Sequence, residues 1–100
     1  MENGYNIFWT PNALRELEDT IQYLQYNFSD KEIKKLVFKI ENFTEIISRN
    51  PFVFPKAGNK SVHKAVVLKF NTLYYRVRGK NIEVLSFFSN RQSPDRNRLK

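Results

Sequence analysis

Three runs of β-branched and aromatic residues dominate the second half of the chain, and very short segments separate them. The runs are Val62 to Phe70, Leu73 to Arg78 and Ile82 to Phe88, parted by Asn71-Thr72 and by Gly79-Lys80-Asn81. Segments this short, with turn-forming side chains, join strands that run antiparallel. The sequence therefore predicts two consecutive hairpins, which is the strongest constraint on its fold.

A short strand and a helix are predicted near the start of the chain. The segment from Tyr5 to Trp9 alternates at the strand period, and we expect both faces of this strand to be largely covered. Thr10 is the expected N-cap and Pro11 the first helical residue. The helix is therefore predicted at about residues 11 to 27. Its apolar stripe consists of Leu14, Leu17, Ile21, Leu24 and Phe28.

A second helix follows after a link of two or three residues. Ser29-Asp30-Lys31-Glu32 has the capping-box pattern, so the two outer side chains should each bond to the other residue's backbone amide. The helix should end near Asn50-Pro51, because proline disfavours helix at the residue before it. The short link predicts an antiparallel helical hairpin, packed on the sheet rather than forming a coiled coil. The second stripe consists of Ile33, Leu36, Val37, Ile40, Phe43, Ile46 and Ile47.

The predicted order βααβββ indicates an α+β fold. We expect a mainly antiparallel sheet with the antiparallel helical hairpin packed on one face and the other face at least partly open. A chain of 100 residues fits a single domain over positions 1–100. Residues 51–61 contain two prolines and a glycine, so they are predicted to form an irregular connection, with Phe52 and Phe54 packed back on the helices. The pattern leaves open where the first strand lies in the sheet.

The positive charge increases along the chain. Residues 1–30 hold one basic and five acidic side chains, residues 31–60 seven and three, and residues 61–100 nine and two, which sum to the net charge of +7. Such asymmetry favours an anionic partner, either nucleic acid or an acidic protein. A solvated basic surface without a partner is the alternative.

Several kinds of chemistry are excluded by composition. The chain has no cysteine, so it has no disulfide, no thiolate zinc site and no cysteine nucleophile. A single histidine argues against a histidine-based metal cluster, and we expect neither a metal nor a cofactor. No apolar run reaches the ~20 residues that span a bilayer. Met1-Glu2-Asn3-Gly4 is also unlike a signal peptide, so we expect an intracellular, cytoplasmic protein.

Four segments taken together carry a family resemblance. They are Tyr5 to Ala13, Asn50-Pro51, Tyr74 to Val77 and the tail Arg91 to Pro94. In this order they resemble the RelE/ParE superfamily of bacterial toxins, over about residues 5 to 95. The resemblance implies the toxin of a type II toxin–antitoxin pair, neutralised by a cognate antitoxin. One branch, RelE-like, cleaves mRNA on the ribosome, and the other, ParE-like, poisons DNA gyrase.

The tail favours the ParE-like branch. Metal-independent RNA cleavage needs a base, an acid and cations, and RelE-like enzymes commonly carry a tyrosine or histidine at the end of the sheet or in the tail. Residues 89–100 contain neither. We therefore expect a gyrase inhibitor. The alternatives are a ribosome-dependent mRNA endonuclease, an inactive family member that binds only its antitoxin and, last, a generic basic RNA-binding module.

Basic residues of the sheet and the tail form the candidate site. The candidates for binding the target or an acidic antitoxin are Lys69, Arg76, Arg78, Arg91, Gln92 and Arg96. Arg91 and Gln92, together with Pro94, match the Arg-Gln-x-Pro element of ParE-like sequences. If the chain is catalytic, the candidates are His63, Arg76 and Arg91. Solvated charge is the alternative for the strand cations, and a clamp that holds the tail is the alternative for Arg91. Tyr74 and Tyr75 point to opposite faces, so one should lie in the core.

Overall fold

The computed structural model of the protein describes residues 4–58 and 61–90. Its elements are β1 (Asn6–Trp9), α1 (Pro11–Asn27), α2 (Asp30–Arg49), β2 (Val62–Val67), β3 (Asn71–Arg78) and β4 (Asn81–Ser89). The strands form one sheet in the order β1-β4-β3-β2. The predicted α+β fold and both antiparallel hairpins are confirmed. The sheet departs from the prediction in being mixed, because β1 pairs with β4 in parallel.

Local signals set the helix boundaries as predicted. Thr10 caps α1, and its Oγ1 accepts the amide of Ala13 at 3.2 Å. The predicted capping box of α2 is wrong, because the Ser29 side chain makes no cap bond and the amide of Glu32 instead bonds to the Ser29 carbonyl at 3.0 Å. No helix within the described ranges is long and apolar enough to cross a membrane.

Helix α1 buries only part of the predicted stripe: Leu24 is buried and Leu17 packs against the core, as predicted. Its buried residues are Ala13, Thr20 and Leu24, whereas the predicted Leu14 and Phe28 are 46% and 44% exposed. Ala13 and Thr20, which the prediction left out of the stripe, are buried instead. The predicted burial of Leu14 and Phe28 is therefore wrong.

Helix α2 buries a narrower stripe than predicted. Leu36, Ile40 and Ile47 are buried, but Val37 and Ile46 remain 40% and 46% exposed. Only positions spaced by three, four or seven residues stay on one side of a helix, and these two lie on its flanks. The predicted burial of Val37 and Ile46 is wrong.

The sheet has one covered and one open face. Tyr75 is fully buried on the covered face, and Tyr74 lies on the other, as the alternation predicts. Phe8 is 54% exposed, so the expectation that both faces of β1 are covered is wrong. We name the uncovered side the open sheet face; its members include Phe8, Lys64, Val66, Thr72, Tyr74, Arg76, Glu83 and Phe88.

The turn between β2 and β3 lies earlier than predicted. Leu68 and Lys69 have positive φ angles of 54° and 70°, and β3 begins at Asn71. Asn71 is buried, and its Nδ2 donates to the carbonyl of Val67 at 3.1 Å. The predicted turn at Asn71-Thr72 is wrong because the asparagine side chain closes the turn from the first residue of the strand.

Candidate functional site

Strand β4 contains a bulge near the middle of the sheet. Tyr75 pairs with Val84 and Tyr74 pairs with Ser86, which leaves Leu85 as an extra residue. A bulge interrupts the ladder of backbone bonds and redirects the side chains that follow it. The backbone groups around Leu85 therefore need partners from outside the sheet.

A carboxylate on α1 supplies one of these partners. Oε1 of Glu16 accepts the backbone amide of Phe87 at 2.9 Å and the hydroxyl of Ser86 at 2.7 Å. Asn12 donates its Nδ2 to the same oxygen at 3.3 Å and to the carbonyl of Leu85 at 3.1 Å. The first turns of α1 thus hold the bulge in place.

Sequence reasoning placed Glu16 outside the apolar stripe and missed this contact. A usable signal existed, because Glu16 is spaced three or four residues from Ala13 and Thr20, the small residues that α1 buries. Thr10 adds to the same contact, since its hydroxyl donates to the carbonyl of Val84 at 3.0 Å. The Thr10 to Ala13 segment is therefore both a helix start and an attachment to β4.

Two of the predicted cations lie together on the open sheet face and share one carboxylate. Arg76 donates to Oε1 of Glu83 through Nε at 3.1 Å and through Nη2 at 2.7 Å. Nη1 of Arg78 lies 3.8 Å from Oε2 of the same glutamate. Glu83 therefore neutralises part of this positive charge, and an anionic partner has to compete with it.

Lys64 extends the positive charge of the open sheet face. On β2, Lys64 pairs with Tyr74, and Val62, two residues earlier, pairs with Arg76. Lys64 is exposed and makes no ion pair within residues 4–58 and 61–90. Lys64 and the two arginines outweigh the single carboxylate, so this end of the face remains cationic.

Apolar side chains lie beside these charges on the same face. Phe8, Val66 and Phe88 are 54%, 53% and 40% exposed, and the register places Val66 and Phe88 on either side of Thr72. Exposed apolar groups next to cations are typical of a protein-binding surface. The open sheet face can therefore bind an acidic partner that also carries apolar side chains.

His63, the predicted candidate base, lies on the covered side of the sheet. It is only 4% exposed, its Nδ1 donates to the carbonyl of Phe54 at 2.8 Å, and its ring stacks on Tyr75 with centroids 5.0 Å apart. The Tyr75 hydroxyl donates to the carbonyl of Pro51 at 2.6 Å. Both side chains hold the connection after α2 against the core, away from Arg76.

Burial also affects the titration of this cluster. It raises the pKa of Tyr75 to about 12, against a smaller opposing effect of the Phe54 backbone. Desolvation disfavours the phenolate, so the hydroxyl remains a donor at neutral pH. Phe54 itself stacks on Phe43 of α2, with centroids 5.3 Å apart, as the sequence predicted for the connection. The predicted packing of Phe52 on the helices is wrong, because this side chain is 61% exposed and its ring lies against His63, with centroids 5.8 Å apart.

Lys69 is not brought together with the strand arginines. It lies in the turn after β2, with its Nζ 5.8 Å from the ring centroid of Phe70. Arg76 is five positions after Asn71 along β3, which corresponds to roughly 17 Å.

The chain leaves β4 at the same end of the sheet as the turn that holds Lys69, because the amide of Asn90 bonds to the carbonyl of Phe70 at 2.7 Å. The predicted site residues Arg91, Gln92 and Arg96 lie outside the described residues.

Comparison with known proteins gives matches only among solved structures. No family model matches the sequence, and no curated protein matches it. A chain of the chromosomal ParDE TA system from P. aeruginosa is 17% identical, with a TM-score of 0.73 over 87% of this chain and 97% of that one. The YoeB/ParE toxin from Agrobacterium tumefaciens is 17% identical, with a TM-score of 0.59 over 84% and 96%.

A third solved structure is that of the YoeB dimer from Staphylococcus aureus. It is 22% identical, with a TM-score of 0.57 over 82% of this chain and 92% of that one. Each of the three likenesses covers most of both chains, so the whole arrangement of helices and sheet is shared. At these identities the comparison shows the fold.

Proposed function

We propose that this chain, which has the fold of the ParE and YoeB toxins, is the toxin of a type II toxin–antitoxin pair that inhibits DNA gyrase. The observation that carries the proposal is the likeness to a chain of the ParDE system, with a TM-score of 0.73 over 87% of this chain. The same likeness supports a ParE-like rather than a RelE-like protein. A cytoplasmic location in a bacterium follows from this function.

The arrangement of the site supports binding more than bond chemistry. A metal-independent nuclease needs a base and an acid within reach of the scissile phosphate. His63 is in the core, and Glu83, the carboxylate in the cationic cluster, is held by two bonds from Arg76. The open sheet face instead offers cations and apolar groups, which suit contact with another protein.

An acidic antitoxin is the proposed cellular partner. Similar folds occur in a ParDE system and in a YoeB–YefM complex from Staphylococcus aureus. Carboxylates of the antitoxin would pair with Lys64 and compete with Glu83 for the arginines, while its apolar side chains would cover Phe8 and Val66. Such a segment hides the surface that is proposed to contact the target.

A ribosome-dependent mRNA endonuclease of the RelE type is the second candidate. Two observations favour it: some of the similar folds are YoeB structures, and Tyr74 and Glu83 lie beside arginines on the open sheet face. Tyrosine and glutamate are residue types that serve in acid–base catalysis. The third candidate is a family member that only binds its antitoxin.

One preparation of the purified protein separates these candidates. We expect it to inhibit gyrase supercoiling or to trap cleaved DNA, and to leave mRNA on programmed ribosomes intact. Arg91→Ala should weaken the effect on gyrase while the circular dichroism spectrum is unchanged. Arg15→Ala is the matched control, because Arg15 is exposed on α1 and lies outside the proposed site.

Two results would contradict the proposal. Cleavage of mRNA on ribosomes without any effect on gyrase would establish the nuclease alternative. Inactivity in both assays, with a folded protein, would favour the antitoxin-binding alternative.

A further inference from the structure

Helix α2 presents an exposed side that points away from the sheet and from the open sheet face. We name it the α2 outer face. It consists of Lys31, Lys34, Lys35, Phe38, Lys39, Asn42, Glu45, Ile46 and Arg49, of which Glu45 and Arg49 form an ion pair at 3.0 Å. The helix buries Leu36, Ile40 and Ile47 on its other side, which fixes its orientation. A partner on the α2 outer face and a partner on the open sheet face would therefore lie on opposite sides of the molecule.

The first half of the α2 outer face is strongly basic. Lys31, Lys35 and Lys39 follow one another at intervals of four residues, so they lie along one side of the helix, with Lys34 beside them. All four are exposed, and none forms an ion pair with another described residue. Asp30 and Glu32 lie in the same turns and offset part of this charge, so the four lysines leave a net positive charge on this part of the helix.

Apolar groups lie among these charges. Phe38 is 64% exposed and Ile46 is 46% exposed, and Asn42 lies between them at intervals of four residues. A groove of about 280 Å³ adjoins them; it is lined by Lys39, Asn42, Phe43, Glu45, Ile46 and Arg49. This volume is just below the range of about 300 to 1,000 Å³ typical of small-molecule sites, and it suits a side chain of a partner better.

We propose that the α2 outer face binds an acidic segment of a partner protein that carries apolar anchors. Its carboxylates would lie opposite Lys31, Lys35 and Lys39, and its apolar side chains would contact Phe38 and enter the groove. This mode resembles the docking of an amphipathic segment along a helix, with charge complementarity setting its register. The inference goes beyond the proposed function because it assigns a second surface, which stays accessible when the open sheet face is occupied.

Other occupants fit this surface less well. A second copy would bring two faces of the same positive sign together, which is unfavourable in a two-fold contact. The phosphates of a nucleic acid would match the lysines, but they would leave Phe38 and the groove without a partner. An acidic segment with apolar anchors uses all of these features.

A synthetic peptide can test the proposal on the full-length protein. The probe is a fluorescein-labelled helical peptide of about 16 residues, which spans roughly 24 Å, rich in glutamate and with two leucines two turns apart. A peptide of the same composition with scrambled leucine positions is its control. We expect fluorescence anisotropy to show saturable binding, with the scrambled peptide about tenfold weaker.

Substitutions then locate the binding surface. Phe38→Ser and Lys35→Glu should each weaken binding of the peptide about tenfold or more. Tyr26→Ser and Lys80→Glu are the controls, because Tyr26 is an aromatic residue 88% exposed on α1 and Lys80 is an exposed lysine over the ring of Tyr5, outside both surfaces. We expect both controls to bind the peptide as the unchanged protein does.

Four outcomes would overturn the proposal. The first is absence of binding by the peptide, and the second is binding that Phe38→Ser and Lys35→Glu leave unchanged. The third is displacement of the peptide by a single-stranded oligonucleotide at lower concentration, which would make the surface a nucleic-acid site. The fourth is tighter binding to anionic vesicles, which would make it a membrane contact. None of these results bears on gyrase inhibition, which is measured separately.

Discussion

At the scale of single residues, the structure gives several polar side chains a role in holding the backbone. Tyr75 and His63 donate to the carbonyls of Pro51 and Phe54, so they attach the connection after α2 to the sheet. Buried polar groups are costly unless they are bonded, and these bonds are between a side chain and a remote carbonyl. The cluster is therefore expected to affect stability and its dependence on pH.

Tyr75→Phe should destabilise the protein by about 1 to 3 kcal/mol, because the Pro51 carbonyl loses its donor. It should also change the response to alkali. The folded pKa of about 12 lies above the unfolded value of 10.0, so the folded state keeps a proton that the unfolded state loses. The stabilisation is complete below pH 10 and is lost as the pH rises toward 12.

Urea unfolding across this pH range measures the effect. Between pH 10 and 12, the free energy of unfolding should fall by about 2 to 3 kcal/mol more in the unchanged protein than in Tyr75→Phe. Parallel pH curves for the two proteins would contradict this role of Tyr75.

Glu83→Gln should strengthen the binding of anions to the open sheet face, because it releases Arg76 and Arg78 from their shared carboxylate. The effect on stability should stay below about 1 kcal/mol, since the pair is partly exposed. Elution from a heparin column should need more salt than for Glu41→Gln, which removes the same charge from an exposed position on α2. Equal elution of the two variants would mean that Glu83 does not compete with bound anions.

At the scale of elements, the contact between α1 and the β4 bulge and the burial of α2 determine how the two layers meet. The α1 contact depends on Glu16, which bonds to the amide of Phe87 and the hydroxyl of Ser86. The α2 contact depends on its buried stripe of Leu36 and Ile40. Helices of these lengths are marginal alone, so packing stabilises both.

Glu16→Ala should destabilise the protein by about 1 to 3 kcal/mol, because it leaves the bulge amide without its acceptor. Glu18→Ala is the control, since Glu18 is exposed on the same helix. The backbone amide of Phe87 should exchange its hydrogen faster in Glu16→Ala and should be unaffected in Glu18→Ala. An unchanged exchange rate at Phe87 would show that the carboxylate does not protect the bulge.

Ile40→Ala should lower the free energy of unfolding by about 2 to 5 kcal/mol, because it removes a buried side chain and leaves a cavity between α2 and the sheet. Val37→Ala, on the same helix at a position that is 40% exposed, should cost much less. Chemical unfolding of both variants gives the comparison. A loss below about 1 kcal/mol at Ile40 would mean that α2 is not packed as described.

At the scale of the whole molecule, positive charge lies on both sides of the two-layer structure. The open sheet face carries Lys64 and the arginines that share Glu83, and the α2 outer face carries four exposed lysines. Opposite charges on a partner accelerate encounter, and at moderate ionic strength salt screens this attraction beyond about 10 Å.

The association rate with the acidic antitoxin should therefore fall steeply as salt is added, while the dissociation rate changes less. Stopped-flow measurements at several salt concentrations test this. Lys64→Glu should reduce the slope more than Lys80→Glu, because Lys80 lies in a turn over the ring of Tyr5 rather than on either surface. An association rate that does not change with salt would mean that the basic surfaces do not guide docking.

Much of this architecture could be predicted from the sequence because its signals are local. Thr10 and Pro11 mark the start of α1, Pro51 limits the end of α2, and alternation assigns Tyr74 and Tyr75 to opposite faces. Neighbouring residues determine each of these features. The two hairpins are also local, since the connections between β2, β3 and β4 are short.

The tertiary structure alone decided the features that depend on remote contacts. Three features depend on residues that are distant in sequence or come from different elements. They are the parallel pairing of β1 with β4, the bond from Glu16 to the bulge and the burial of His63. Amphipathic periodicity says that a helix has a buried side, but only the assembled structure shows that Ala13 and Thr20 are buried while Leu14 is exposed. The sequence by itself therefore determined the elements and their order. Packing, which is a property of the assembled layers, decided which polar groups are buried and which charges lie together.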